Sequence, residues 1–264
     1  MERLLVLRLE ALGCEAEALL NGVPVARVGG SRLVLTLPVH EYTLSGGNEI
    51  ELVVRPAAPG AAPAPEPFLS DGLACASLRL LLPRVGQAAH PATARTLAQL
   101  DWAPPADEVC EAPLSQRRTV ELPIAFPRWR WLDAPVIADT PSLKGEVAAY
   151  LLGVAVGLAH GDAEPLVQAA RLRFEELAQA YQRNVADDVG RFRLHIQQLH
   201  AAKPLKPVLP AAAKMILRPV AGGRLLECLA PGGGPLLSSP VAGGGTASWP
   251  LRLASVDGRF YVVR

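Results

Sequence analysis

The sequence predicts two domains of different class, an all-β sandwich in front and an α+β domain behind. Three observations carry this. Up to about residue 142 short apolar runs alternate with turns and proline, three helical stripes then follow one another, and the remainder returns to strands. Runs of strands and runs of helices segregate into separate layers or domains, and 264 residues suffice for two cores of about 130 residues each. The expected layout is a sandwich over 1–133, a junction over 134–142 and an α+β domain over 143–264, its three helices packed on a curved antiparallel sheet.

In the front half, Leu5, Leu7 and Leu9 alternate with Val6 and Arg8, which puts them on one face of a strand. Asn21-Gly22 sits between apolar residues, and that dipeptide adopts the positive φ angles of a tight type I′ hairpin. Strands are expected at 33–37 and, after the turn Ser45-Gly46-Gly47-Asn48, at 49–54, where Ile50, Leu52 and Val54 share a face. Further strands are expected at 77–82 and 119–124, with a short helix over 94–100. Residues 56–67 are almost wholly Pro, Ala and Gly, a stiff stretch; a surface loop inside the first domain is preferred to an interdomain linker.

Leu20-Asn21-Gly22-Val23-Pro24-Val25, then Leu37-Pro38-Val39-His40-Glu41-Tyr42, then Gly46-Gly47-Asn48-Glu49-Ile50-Glu51-Leu52 resembles galactose-binding-like jelly-roll modules. In these an "LNG" hairpin is followed by a "GxN" turn into a core strand. The resemblance implies a β-sandwich, and carbohydrate binding in some members. Trp129 and Trp131 bear on that point, since an extended chain points both indoles the same way. Paired indoles can form a sugar-stacking platform or bury against a neighbouring domain. Their place just before the junction favours interdomain packing.

In the back half, Val147, Tyr150 or Leu151, Val154 and Leu158 repeat at helical spacing, and Gly153 and Gly157 are read as points of close packing. Asp162 is expected to cap a second helix with the stripe Leu166, Ala170, Phe174, Leu177 and Tyr181. A third helix is expected to begin near Asp187-Asp188, bury Val189, Phe192, Ile196 and Leu199, and stop before Pro204 and Pro207. Strands follow at 214–219, 224–229, 249–255 and 259–263, the last pair turning through Asp257-Gly258. Helices first, strands after, and a closing Val256-Asp257-Gly258-Arg259-Phe260-Tyr261-Val262-Val263 resembles the NTF2-like (SnoaL-like) superfamily, with related cystatin-like arrangements open. One departure is that the family usually places a hairpin before its third helix. The resemblance implies a conical cavity between helices and sheet, isomerase, hydratase or aldol-type chemistry in some members, and a homodimer formed through the sheets.

Composition narrows the chemistry. A net charge of +1 with 50% hydrophobic and 19% charged residues describes a globular protein without the basic field that nucleic acid requires. Charges interrupt the leucines of residues 1–10, and the longest apolar stretch, 147–159, is too short to span a bilayer. A soluble, cytoplasmic protein with no membrane partner is expected. The abundance of Ala, Leu, Pro, Gly and Arg suggests a GC-rich bacterial genome. Cys14, Cys75, Cys110 and Cys228 are scattered and read as free buried thiols, not as a metal site or disulfide framework. No nucleophile elbow, phosphate loop or dinucleotide fingerprint occurs, and no cofactor or metal is expected. Gly232-Gly233-Gly234 and Gly243-Gly244-Gly245 are read as hairpin loops.

The weak catalytic candidate is His195, on the flank of the third stripe, with Tyr181 and Trp249 sharing the implied cavity. Three functions stand. Foremost is a non-catalytic partner-binding or scaffold protein, because no reactive cluster is visible. A small apolar-ligand binder or isomerase-type enzyme using the C-terminal cavity is the alternative. Carbohydrate binding by the front module at Trp129 and Trp131 is the third.

Overall fold

The computed structural model describes residues 4–30, 32–56, 68–70, 72–84, 86–111, 113–122 and 125–264, and the chain's contacts gather into two units, Met1–Arg128 and Trp129–Arg264. Trp129 and Trp131 thus belong to the back unit. The Pro/Ala/Gly stretch lies, after Pro56, outside the described residues, as do Pro123 and Ile124 of the strand expected at 119–124.

The front unit is built of β1 (Val6–Leu12), β2 (Cys14–Leu20), β3 (Val23–Val28), β4 (Val34–Pro38), β5 (Gly46–Pro56), β6 (Phe68–Leu69), β7 (Cys75–Leu82), β8 (Arg95–Trp102), β9 (Val109–Cys110) and β10 (Leu114–Leu122). There are two four-stranded antiparallel sheets, ordered β4-β1-β7-β8 and β10-β5-β2-β3, and a separate short β6-β9 pair. Alternation sorts each strand's faces. Leu7, Leu9 and Ala11 of β1 and Leu78 and Leu80 of β7 are buried, as are Ala16, Ala18 and Leu20 of β2 and Ile50, Leu52 and Val54 of β5.

The turn chemistry is as read. Asn21 and Gly22 have φ of 54° and 73°, the mirror-image turn that matches strand twist. The Asn21 amide donates to the Tyr42 carbonyl (2.8 Å) and to Asn48 Oδ1 (2.9 Å), and its own oxygen accepts the Glu49 N–H (2.9 Å). Buried Asn48 in turn donates to the Leu44 and Gly46 carbonyls. The two asparagines quoted for the resemblance therefore hold turns together. The segment read as a short helix at 94–100 is instead strand β8, paired along β7. Thr96, Ala98, Leu100 and Trp102 alternate with Arg95, Leu97, Gln99 and Asp101, and pairing with a neighbour overrides the helix propensity of Ala, Leu and Gln.

In the back unit, α1 (Leu143–Ala159), α2 (Glu164–Ala169), α3 (Arg171–Tyr181) and α4 (Val185–Ala202) precede β11 (Ile216–Val220), β12 (Leu225–Leu229), β13 (Leu237–Pro240), β14 (Thr246–Trp249), β15 (Leu251–Val256) and β16 (Arg259–Val262). The sheet order is β11-β12-β15-β16, with β13-β14 a separate hairpin. Four helices, not three, are present: the stripe at 166–181 is dented at Ala170, whose φ of −101° and ψ of 14° separate α2 from α3. No glycine or proline marks that dent. Helix α4 starts three residues before Asp188, because the Asn184 side chain accepts the N–H groups of Ala186 and Asp187. The N-cap position of α2 is Ala163, one residue after the Asp162 expected there, but the Asp162 carboxylate still accepts the Glu164 N–H at 2.8 Å. Gly157 packs closely as expected, since a Cβ there would meet the Pro165 ring at 2.7 Å. Gly153 faces open space, which corrects its reading as a packing glycine.

The core joins Leu143, Val147, Leu151, Val154 and Leu158 of α1 with Ile196 of α4 and with Leu226, Cys228, Leu251, Leu253 and Val262 of the sheet. The opposite sheet face carries the cross-strand row Arg218, Glu227 and Arg252, with Arg252 bonded to Glu227 at 2.9 Å. Asp257 and Gly258 (φ 50° and 71°) close the last hairpin.

Candidate functional site

The site residues named from the sequence do not converge. His195 is exposed, while its neighbour Ile196 is fully buried. One residue is about 100° of helical rotation, enough to turn the imidazole out of the core. Tyr181, half-buried at the end of α3, lies beneath the Arg183 guanidinium at 5.0 Å. Trp249 lines a pocket of about 270 Å³ together with Leu166, Phe174, Leu177, Phe192 and Arg173, and neither His195 nor Tyr181 lines it. Phe174 and Phe192 sit 5.6 Å apart in a tilted pair. Sequence reasoning placed both in a helical stripe but could not mark them as pocket residues, because a pocket-lining stripe and a core stripe have the same period.

Trp129 and Trp131 are 0% and 3% exposed, so they do not form the open indole platform expected of a sugar site. The reason is local. Trp129 is extended, but Arg130–Leu132 is a 3₁₀ turn, which breaks the alternation that would align the rings. Trp129 instead lies under the Arg264 guanidinium at 5.5 Å. Glu176 accepts the Arg130 N–H at 2.8 Å and pairs with Arg264, so this segment is bound into the back unit's interior.

The front unit has a cleft of about 410 Å³ at one end of the sheet β4-β1-β7-β8, lined by Glu10, Leu12, Leu33, Val34, Cys75 and Trp102, among others. Leu12, Leu33 and Val34 are 53%, 44% and 45% exposed, a contiguous apolar surface in which single exposed residues would need no comment. Beside it runs a polar network: Glu10 accepts from Arg8 (2.6 Å) and Arg79 (2.8 Å), and Asp101 from Ser77 (2.7 Å) and Gln99 (2.5 Å). The hydrogen bond from Arg8, the largest influence, holds the Glu10 carboxyl below its ordinary range. Cys75 is exposed, contrary to expectation, and the other three cysteines are buried and free. Burial pushes the Cys14 thiol up to about 11 and the Cys228 thiol up to about 12, so neither is an activated nucleophile at neutral pH.

Strand β4 is an edge of its sheet. Ala11 N–H bonds to Leu33 O and Val39 N–H to Leu5 O. With the antiparallel register Val6↔Pro38 to Glu10↔Val34, residues 33, 35, 37 and 39 turn their polar backbone groups toward β1. Val34 and Thr36 therefore point N–H and C=O outward, and Pro38 its carbonyl. Among the described strands none pairs on that side.

Among the described residues no group of three or more His, Cys, Asp or Glu could hold a metal ion, and no helix is long and apolar enough to cross a membrane. No protein-family model, no curated protein and no solved structure matches the chain.

Proposed function

We propose that this is a non-catalytic binding protein whose front unit takes up an extended segment of a partner polypeptide along β4. The observation that carries the reading is the contrast between β4 and the other three edges. Exposed edges template pairing with other chains, and proteins blunt them with charge, proline or bulges. Strand β3 carries Pro24, Arg27 and a bulge; β8 carries Arg95, Asp101 and a register shift; β10 carries Arg117, Arg118 and Glu121. Strand β4 reads Val-Leu-Thr-Leu-Pro, uncharged and guarded only by its last residue. An added strand would find two outward donors and three outward acceptors there, and the cleft at Leu12, Leu33 and Val34 would receive one of its apolar side chains.

The test is selection from a displayed library of random twelve-residue peptides, followed by affinity measurement on two variants. Thr36→Pro deletes an N–H that does not bond to β1, and proline is tolerated on edges, so folding is retained. Selected peptides with alternating apolar residues, and at least about a tenfold loss of affinity in Thr36→Pro and Val34→Lys, are expected from the hydrogen bond and contact removed. Peptides that bind the Thr36→Pro protein as well as the parent contradict the reading.

A second reading, a small apolar ligand in the back unit, is favoured by the Trp249 pocket. Its lining holds no carboxylate or imidazole, which supports binding in preference to isomerase chemistry.

A further inference from the structure

A separate crevice of about 510 Å³ lies between α1, α2 and the turn from β15 to β16. Its volume is in the range of small-molecule sites. Tyr150, Pro165, Phe260 and Tyr261 give it flat, largely apolar walls, with the Tyr150 and Phe260 rings 5.9 Å apart. One wall position is glycine where neither crowding nor the backbone requires it: a Cβ on Gly153 would meet nothing within 4 Å, whereas Gly258, equally open, serves its turn at φ 71°. Gly153 is inside a helix, where glycine is disfavoured relative to alanine, and no neighbour needs it small. What its missing side chain leaves is room in the crevice.

The lining holds one cation, Arg259, beside the neutral amide of Gln168, and contains no carboxylate. Behind it Arg171 donates to the Tyr261 hydroxyl at 3.0 Å and lies 4.9 Å from the centre of that ring. The Tyr150 hydroxyl is buried and bonds to no described group. Leaving such a group unsatisfied is unfavourable. Burial, and secondarily the nearby Tyr261, push this phenol up to about 12, so it keeps its proton and is a donor in want of an acceptor.

We infer that this crevice binds a flat aromatic carboxylate, its ring against Tyr261 and Pro165, its anionic group met by Arg259 and by the Tyr150 hydroxyl turned toward it. The inference is independent of the strand-docking reading, since it concerns only the back unit.

The test is isothermal titration of the full chain with benzoate, 2-naphthoate and anthracene-2-carboxylate, each against its neutral carboxamide. At least one acid is expected to bind saturably and at least about tenfold tighter than its amide, the worth of one charge-assisted bond. Gly153→Leu, which fills the crevice from an exposed helix position, is expected to abolish binding with the melting temperature kept. Gly153→Ala should weaken binding while raising that temperature. Tyr150→Phe and Arg259→Gln should each cost about tenfold, the second also erasing the preference for acid over amide. No saturable binding by any of the three acids, equal binding of acid and amide, or undiminished binding in Gly153→Leu or Tyr150→Phe would overturn it.

Discussion

Glu176→Ala is expected to destabilise the back unit by about 3–5 kcal/mol, the usual cost of removing one partner from a buried ion pair. Glu176 is 4% and Arg264 1% exposed at the side chain. The carboxylate serves two donors, the Arg264 guanidinium and the Arg130 N–H. Alanine removes the Glu176 carboxylate from a guanidinium held out of water and leaves a backbone donor without its acceptor. Urea unfolding followed by tryptophan fluorescence of a Trp102→Phe background reads this directly, because the other three tryptophans, Trp129, Trp131 and Trp249, lie in the back unit. The control is the double replacement Glu176→Leu with Arg264→Met. Exchanging a whole buried pair for apolar residues is often close to neutral, so the double variant should recover most of the loss. If Glu176→Ala shifts the midpoint by less than the equivalent of about 1 kcal/mol, the range of exposed pairs, the pair is not buried in solution.

Trp129→Ala is expected to cost a similar amount, about 3–5 kcal/mol, as large-to-small changes of fully buried aromatics do. At 0% exposure the indole leaves a cavity, and the guanidinium 5.5 Å from its ring loses a cation–π partner worth roughly 0.5–2 kcal/mol. An indole displayed for a sugar would behave otherwise, since exposed substitutions fall within about 0.5 kcal/mol. The same unfolding experiment therefore distinguishes the two roles. Trp129→Ala and Glu176→Ala share Arg264, so their effects should not add.

What the sequence made legible was local. Asn21-Gly22 and Asp257-Gly258 announce their turns because few dipeptides accept two successive positive φ angles, and the alternation of Leu5, Leu7 and Leu9 needs no partner to be seen. Pairing is another matter. Residues 94–100 suit a helix in isolation and become β8 only because β7 lies beside them. The exposed edge of β4 depends on strand order, and no local pattern reports which strands end up outermost. The site suffered most. His195 is one position from the buried Ile196, a distinction finer than a helical stripe resolves. Gly153 and Gly157 look alike as letters, yet one meets Pro165 and the other opens a crevice. Trp129 and Trp131 share a face only on a straight strand, and a single 3₁₀ turn at Arg130 breaks that alignment.

The most direct measurement is residue-level amide hydrogen exchange of β4, alone and with a library-selected peptide bound. Alone, Leu35 and Leu37 should exchange slowly, because the register turns their N–H groups to β1, while Val34 and Thr36 should exchange fast. With peptide bound, Val34 and Thr36 should become protected and the other edges, β3, β8 and β10, should not change. Fast exchange at Val34 and Thr36 in the complex, or new protection on a different edge, would contradict strand addition at β4.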